Sequence, residues 1–428
     1  MTDDYGFGTR CVHAGQEEPD PATGARAPPI YQTSSYVFED ADTAADRYAL
    51  EDDGNVYSRF DNPTVRMLEN RIASLENAVD AVATGSGMAA LDAGTSVLAA
   101  SGDNIVTASS IYGGTHSYYS STASRRGIET RFVDTLDPDA YAEAIDGDTA
   151  YVHFETIGNP SLVVPPIEEI AEVAHDHGVP VFVDNTFGTP ALCNPLDHGV
   201  DLLWESTTKW IHGSGTTVGG VLVDGGSFPW AEYPKKFPEL GGENESFGKN
   251  FADAFGDRAF SVAARHLALR SLGDGQKPFD AWATLQGAET LSLRMERHCE
   301  NAMTVAEHLE SHPEVAWVTY PGLESHETHD LAQQYLSGGF GGVVTFGLEG
   351  GYDAGRQFCE QTELAQFLAN IGDAKTLVIH PASTTHAQLT EAEQHASGVT
   401  PDLVRMSVGI EDPEDIVADI DDAIARVT

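Results

Sequence analysis

Apolar, strand-like segments alternate with helical segments from about residue 64 to residue 224, and this alternation limits the folds open to the chain. An amphipathic helix is predicted at 64–76, and another helix is predicted to begin at Ser86. Strands separated by helices form mainly parallel sheets that are covered by helices on both faces. The sequence therefore predicts an α/β fold with a mainly parallel, seven-stranded sheet. The seven strands are predicted at 80–83, 104–108, 131–134, 150–155, 180–184, 201–206 and 218–224.

The segments on either side of this region have different patterns. Residues 1–60 are irregular and rich in Pro, Gly and Tyr, and they are predicted as an N-terminal extension to a sheet domain at 61–258. Residues 226–258 are predicted as a long ordered loop, a type of segment that is usually functional or structural. Residues 259–428 are predicted as a smaller α/β domain. Its helices are expected at 259–272, 281–311 and 413–426, and its strands at 315–319, 342–348, 376–379 and 403–408.

The chain is strongly acidic. Its 428 residues include 23 basic and 67 acidic side chains, for a net charge of −44. Repulsion between these charges opposes folding at low ionic strength, and molar salt screens it. The even spread of the acids is similar to that in proteins of extreme halophiles, although an acidic mesophilic protein is an alternative. The charge argues against a nucleic-acid partner, because such proteins present a basic surface.

Three further features bear on location and on metal binding. The four cysteines are far apart and have no CxxC spacing, which argues against both a disulfide framework and a zinc site. No apolar run approaches the length of a membrane span, and the first residues lack the pattern of a signal peptide. We therefore expect a cytoplasmic protein with no bound metal and no membrane partner.

Two ionisable residues follow neighbouring predicted strands. Asp184 ends the run Val181–Asp184, and Lys209 comes just after the next run. Because the carboxyl ends of parallel strands open onto the ligand crevice, both side chains are expected in one site. An amine and a carboxylate are the two anchors that pyridoxal 5′-phosphate (PLP) needs. Asp184 alone is better explained by a helix cap, and only its pairing with Lys209 favours a site. A surface position is the alternative for Lys209, but its apolar, Gly-rich setting at 210–215 favours a buried, reactive amine.

A glycine-containing turn precedes this pair. Thr84-Gly85-Ser86-Gly87-Met88-Ala89-Ala90 lies between a strand and a helix, where free N–H groups bind anions. The turn also matches a dinucleotide fingerprint, but that motif requires an acid at the end of the next strand, and none is present at 105–108. A monophosphate therefore fits better than NAD, and a tight turn without a ligand is the alternative. Ser206 and Thr208 carry hydroxyls that can bind phosphate oxygens.

Three more side chains are candidates for the same site. Tyr112, which follows a strand, could stack on a planar cofactor. Arg59 could pair with a phosphate, although isolated exposed arginines are commoner. Arg405 is one of few cations and suits a carboxylate substrate, with a surface ion pair as an equal alternative.

Taken in order, these motifs resemble the Cys/Met-metabolism PLP enzymes of fold type I. The likeness extends from about Cys11 to the C-terminus. Within that family the chain is most similar to the sulfhydrylases that act on O-acetylhomoserine. The motifs are Tyr57-Ser58-Arg59, Ser86–Ala90, Tyr112–Thr115, Val183–Thr186, Ser206–Lys209 and Arg405–Ile410, and the sulfhydrylase-like stretches are 226–258, 285–302, 315–322 and 370–389.

The resemblance implies a role for each matching residue. Lys209 would form the covalent link to PLP, Asp184 would hold the pyridinium nitrogen, and Tyr112 would stack on the ring and take part in catalysis. The phosphate would be bound by Gly87, Met88, Ser206 and Thr208, with Tyr57 and Arg59 from the neighbouring subunit of a homotetramer made of two active dimers. Asn159 would contact the phenolic oxygen of the cofactor, and the substrate carboxylate would be bound by Arg405, Asn370 and Ser383.

The resemblance also implies a reaction, the γ-replacement that converts O-acetyl-L-homoserine and sulfide, or methanethiol, to homocysteine, or methionine, and acetate. Methionine γ-lyases have a cysteine in place of Gly114, and cystathionine synthases and lyases commonly have a serine in place of Asn370. Glu155-Thr156-Ile157 lacks the usual proline before Asn159. Cystathionine γ-synthase or γ-lyase activity is the nearest alternative. An inactive PLP-binding or acidic interaction protein is an alternative of another class.

Overall fold

A seven-stranded sheet forms the centre of the larger domain in the computed structural model, which describes residues 5–387, 390, 394 and 398–427. Its order is β1-β7-β6-β5-β4-β2-β3, and β7 alone runs antiparallel to its neighbours. All seven predicted strands are present, within two residues of the expected bounds. They are β1 (Asp80–Thr84), β2 (Asn104–Ala108), β3 (Glu129–Val133), β4 (Thr149–Glu155), β5 (Val181–Asp184), β6 (Leu202–Glu205) and β7 (Gly220–Asp224).

Helices cover both faces of this sheet. Alternate strand residues point to opposite faces, and Phe182 and Val183 accordingly lie in two different apolar cores. Leu68 and Ile72 pack in the core with Val183, whereas Leu91 packs in the core with Phe182. The predicted helices at 64–76 and after Ser86 are observed at Pro63–Leu75 and Gly87–Leu98. Further α-helices of this domain are Gly113–Ser117, Pro138–Ala144, Ile167–Asp176 and Thr189–Leu192, with a π-helix at Tyr118–Ala123 and a 3-10 helix at Pro195–His198.

The segment predicted as a long ordered loop, 226–258, is a packed insert of short elements. Trp230, Phe237 and Phe251 are buried within it, and the Trp230 and Phe237 rings lie 5.1 Å apart. This aromatic cluster fixes the segment against the sheet domain. Its elements are the hairpin β8 (Glu243–Asn244) and β9 (Lys249–Asn250), the α-helices Pro238–Gly241 and Phe251–Phe255, and the 3-10 helices Trp230–Glu232 and Gly256–Arg258.

A five-stranded sheet forms the smaller domain, in the order β10-β11-β14-β13-β12. The four predicted strands are present, and the short strand β12 adds an edge that was not predicted. Its α-helices include Leu291–Glu310, His329–Tyr335, Gly351–Gln361 and Pro413–Ala425, and a 3-10 helix spans Pro381–Ser383. The strands are β10 (Val315–Thr319), β11 (Val343–Leu348), β12 (Gln366–Phe367), β13 (Leu377–Ile379) and β14 (Leu403–Ser407). Gln388 and Leu389, at the end of the sulfhydrylase-like stretch 370–389, lie outside the described residues.

The connection between the two domains differs from the single long helix expected at 281–311. Two helices, Pro278–Ala288 and Leu291–Glu310, are present instead. Leu285 and Leu291 are buried in the core of the larger domain, and Ala302 is the first residue of this segment in the core of the smaller one. The packing therefore changes near residue 300, whereas the boundary at 258/259 stays a prediction.

The N-terminal region and the start of the connection complete the fold. Cys11 is buried in the core of the larger domain, so the beginning of the chain packs against it. The remaining α-helices are Phe7–His13, Ala41–Tyr48, Ala259–Ala263 and Arg270–Leu272, with a π-helix at Ala264–Leu269. In the part of the chain that the structure describes, no helix is long and apolar enough to cross a membrane.

Candidate active site

A cavity of about 780 Å³ lies where β4, β5 and β6 end, between the two domains. This is the edge at which parallel sheets bind ligands. Most of the predicted site residues line it, which brings together side chains from distant parts of the sequence. They are Gly87, Met88, Tyr112, Asn159, Asp184, Ser206, Thr208, Lys209, Asn370 and Arg405.

Asp184 and Lys209 form a pair of opposite charges in this cavity. Asp184 ends β5 and is 6% exposed, and its carboxylate accepts a hydrogen bond of 2.9 Å from the Thr186 N–H. Burial raises the pKa of Asp184 to about 7. Burial and the nearby Arg405 charge lower the pKa of Lys209 to about 8. Lys209 therefore has a substantial neutral fraction near pH 8, so it can act both as a nucleophile and as a base.

Asn370 holds the Lys209 amine. The Lys209 Nζ donates a hydrogen bond of 2.6 Å to the Asn370 Oδ1. Asn370 comes from the smaller domain, between β12 and β13, whereas Lys209 follows β6 of the larger one. The direction of the amine thus depends on how the two domains pack.

The predicted phosphate turn begins a helix. The Ser86 Oγ caps the helix Gly87–Leu98 by accepting a hydrogen bond of 3.1 Å from the Ala89 N–H. The first N–H groups of a helix have no partner within it, so those of Gly87 and Met88 are available to an anion. A Cβ at Gly87 would lie 2.9 Å from the Ser206 Cβ, which only glycine avoids. The turn and Ser206 therefore form a cradle without room for a side chain.

The Thr208 hydroxyl already has partners. Its Oγ1 donates to the Gly219 carbonyl at 3.1 Å and accepts from the Gly219 N–H at 3.0 Å. A phosphate would have to compete for this hydroxyl, so its role stays a prediction.

Glu155, which sequence reasoning did not select, joins two parts of the site. It ends β4 and is 5% exposed. Its Oε1 accepts a hydrogen bond of 2.6 Å from the Tyr112 N–H, and its Oε2 accepts one of 2.8 Å from the Asn159 N–H. The signal was an acid at the end of a predicted strand, the same signal that identified Asp184.

Arg405 and His386 line the side of the cavity formed by the smaller domain. Arg405 lies in β14, and its Nη1 donates a hydrogen bond of 3.0 Å to the Asn159 Oδ1. Burial lowers the pKa of Arg405 to about 10, so it is still a cation at neutral pH. His386 was not predicted. Its Nδ1 lies 2.9 Å from the Thr385 Oγ1, and burial lowers its pKa, so it presents a neutral ring.

Three predicted residues do not line the cavity of the single chain. The Arg59 guanidinium lies over the Tyr57 ring, 5.4 Å from its centroid. The Ser383 Oγ lies 2.9 Å from the His380 Nδ1. Tyr57 and Arg59 were expected to act on a neighbouring subunit, and the roles of all three stay predictions.

The site fits PLP. A carboxylate, an amine and an anion cradle are present in one cavity, and Tyr112 lies at its edge. A model of the Cys/Met metabolism PLP-dependent enzymes matches residues 8–425. The chain belongs to this family. The predicted family, the fold type and PLP as the cofactor are thereby confirmed, and the chain is an enzyme.

Similar proteins that carry a functional name match nearly the whole chain. A homocysteine synthase of Schizosaccharomyces pombe is 51% identical over 98% of this chain and 98% of its own length. An O-acetyl-L-homoserine sulfhydrylase of Leptospira meyeri is 45% identical over 98% of this chain and 96% of its own length. The crystal structure of a Campylobacter jejuni protein assigned as an O-acetylhomoserine (thiol)-lyase has a TM-score of 0.95. It is 37% identical, covers 98% of this chain and 100% of its own, and contains N′-pyridoxyl-lysine-5′-monophosphate.

Proposed function

We propose that this enzyme catalyses γ-replacement on O-acetyl-L-homoserine, with sulfide giving L-homocysteine and acetate, and with methanethiol giving methionine. The observation that carries the proposal is the 2.6 Å hydrogen bond from Lys209 to Asn370 in a cavity that also contains Arg405. A base and a carboxylate-binding cation are the two groups that an amino-acid substrate requires at its α carbon. The names of relatives that match over the full length support the substrate.

Lys209 would move the protons of the reaction. Bound PLP supplies an electron-withdrawing ring that accepts the electron pair left on the α carbon when its proton is removed. Because the Lys209 amine is partly neutral near pH 8, it can take that proton, and Asn370 directs its lone pair. The amine would then remove a proton from the β carbon before acetate leaves, and it would return protons to the β and α carbons after sulfide has added. The Cγ–O bond breaks with release of acetate, and sulfide forms the new Cγ–S bond.

Arg405 would bind the substrate carboxylate, because its guanidinium stays charged and can form two parallel hydrogen bonds. Asp184 would stabilise a proton on the cofactor ring. Burial raises the pKa of this carboxyl to about 7. A cation next to it has the opposite effect and favours the charged form of the carboxyl. Gly87, Met88, Ser206 and Thr208 would hold the phosphate, and Asn159 the phenolic oxygen.

The proposal includes the oligomeric state of the enzyme and the salt-rich cytoplasm in which it works. Tyr57 and Arg59 would complete the phosphate site of a neighbouring subunit, in a homotetramer made of two dimers. Ser383 would support the substrate carboxylate from the segment that leads to His386. The net charge of −44 supports adaptation to molar salt in the cytoplasm of a halophile.

One steady-state assay in molar KCl tests the reaction. O-Acetyl- and O-succinylhomoserine are each offered with sulfide and with cysteine, and the products are identified by mass spectrometry. Homocysteine from the acetyl ester and sulfide is expected. Cystathionine as the main product would instead support the synthase alternative, and absence of any turnover by PLP-loaded protein would support an inactive PLP-binding protein.

A further inference from the structure

Tyr112, Asn159 and Arg405 come from three separate segments, and the buried carboxyl group of Glu155 connects them. Glu155 accepts hydrogen bonds from the backbone N–H groups of Tyr112 and Asn159, at 2.6 and 2.8 Å. Asn159 in turn accepts a hydrogen bond of 3.0 Å from Arg405. A single side chain therefore fixes two loops of the larger domain and, through Asn159, the arginine of the smaller domain.

We infer that Glu155 is a positioning residue that, through Asn159, sets the orientation of Arg405 toward the substrate carboxylate. This inference rests on the proposed function, since that function places an amino acid next to Arg405. Each Glu155 oxygen has one backbone donor, so neither bond can be replaced by the other. The Glu155 carboxyl group acts through these neighbours, and no contact of its own with the substrate is needed.

The geometry makes substitutions at Glu155 informative. In Glu155→Gln an NH₂ group replaces one oxygen and faces a backbone N–H, so one of the two bonds is lost. Glu155→Asp keeps the carboxyl group but shortens the side chain by one methylene, so it cannot reach both N–H groups. The second variant keeps the test open if the first does not fold.

Asp224 provides a matched control. It is 1% exposed and also accepts hydrogen bonds from two backbone N–H groups, at 2.8 Å from Ser261 and 3.0 Å from Gly226. It pairs with the first residues of β1 and β6, so it lies at the opposite end of the sheet from the cavity. Asp224→Asn therefore removes a similar buried carboxylate without affecting Arg405.

The test measures binding by PLP-loaded enzyme from changes in the visible absorption of the cofactor. The two probes are L-2-aminobutyrate, which has no γ leaving group, and n-propylamine, the same molecule without its carboxylate. Glu155→Gln should raise the Kd for aminobutyrate about tenfold and change the Kd for propylamine by less than about twofold. Asp224→Asn should leave both Kd values within about twofold of the wild type.

The double variant Glu155→Gln/Arg405→Lys tests the connection itself. Its Kd for aminobutyrate should be within about twofold of the value for Arg405→Lys alone, because both changes act on the same contact between Arg405 and the substrate carboxylate. Equal effects of Glu155→Gln on both probes, or no effect on either, would overturn the inference. If the wild type binds aminobutyrate but forms no homocysteine, the proposed function fails, whereas the binding data still decide the role of Glu155.

Discussion

Gly114 lies directly against the Tyr112 ring, and replacing it with alanine should separate stability from activity. A Cβ at this position would be 2.4 Å from the Tyr112 Cε1 and 3.0 Å from its Cζ. Ordinary carbon contacts lie at about 3.5–4.0 Å, so the ring would have to retreat by about 1 Å. The ring is 44% exposed and can move outward, so the clash need not disturb the core.

Gly114→Ala is expected to change stability and activity in opposite directions. Gly114 lies in the helix Gly113–Ser117, where alanine in place of glycine adds about 0.5–1 kcal/mol of stability. A displacement of about 1 Å at a reacting centre can lower the rate by about 100-fold. Gly114→Ala should therefore unfold at the wild-type temperature or above it and lose about 10- to 100-fold in kcat/KM.

The assay combines thermal unfolding, followed by circular dichroism, with homocysteine formation at varied O-acetylhomoserine. Two graded controls are available. A Cβ at Gly113 would lie 3.3 Å from the His386 Nε2, and a Cβ at Gly147 would meet no described atom within 4 Å. Gly113→Ala should thus have a smaller effect than Gly114→Ala, and Gly147→Ala no effect on kcat/KM. The reasoning is refuted if Gly114→Ala keeps wild-type kcat/KM, or if it loses stability in step with activity.

Four further outcomes are expected. Lys209→Ala should abolish the visible absorption of the lysine-bound cofactor and lower kcat by about 10²–10⁴-fold, and a variant that kept both would exclude Lys209 as the base. Asn370→Ala should keep that absorption but lower kcat about tenfold or more, because the Lys209 amine loses its acceptor; unchanged kcat would show that the bond does not direct the amine. Burial lowers the pKa of His298 to about 4 in the folded protein, from about 6.5 in the unfolded chain. The unfolded chain therefore binds a proton more readily, and the folded state loses stability as the pH falls from about 6.5 toward 4. Urea titrations at pH 7 and pH 4.5 should accordingly show that the wild type loses about 2–3 kcal/mol more than His298→Gln, and equal losses would contradict this. Raising KCl from 0.1 to 1 M shortens the Debye length from about 10 to about 3 Å and should raise Tm and activity, whereas full activity in dilute buffer would argue against halophilic adaptation.

Local pattern was sufficient for the larger part of the fold. The runs of apolar residues that became β1 and β4 to β7 are buried throughout, and β2 is buried in all but its last residue. Such runs are recognisable without knowledge of their partners. The break between Ala288 and Leu291 was missed, because both segments have helical periodicity and both begin in the core of the larger domain, although only the second continues into the core of the smaller one. Strand β12 is only two residues long and has no periodicity to detect.

Local sequence was enough to place the sheet, the acid Asp184 and the amine Lys209 proposed to hold PLP, and the turn at Ser86–Met88, because each lies at the end of a strand or the beginning of a helix. Tertiary structure alone decided which distant side chains meet these anchors. Asn370 reaches the Lys209 amine, and Glu155 is connected through Asn159 to Arg405. Such contacts depend on how the two domains pack, and no local pattern records the distance between residues that are far apart in the chain.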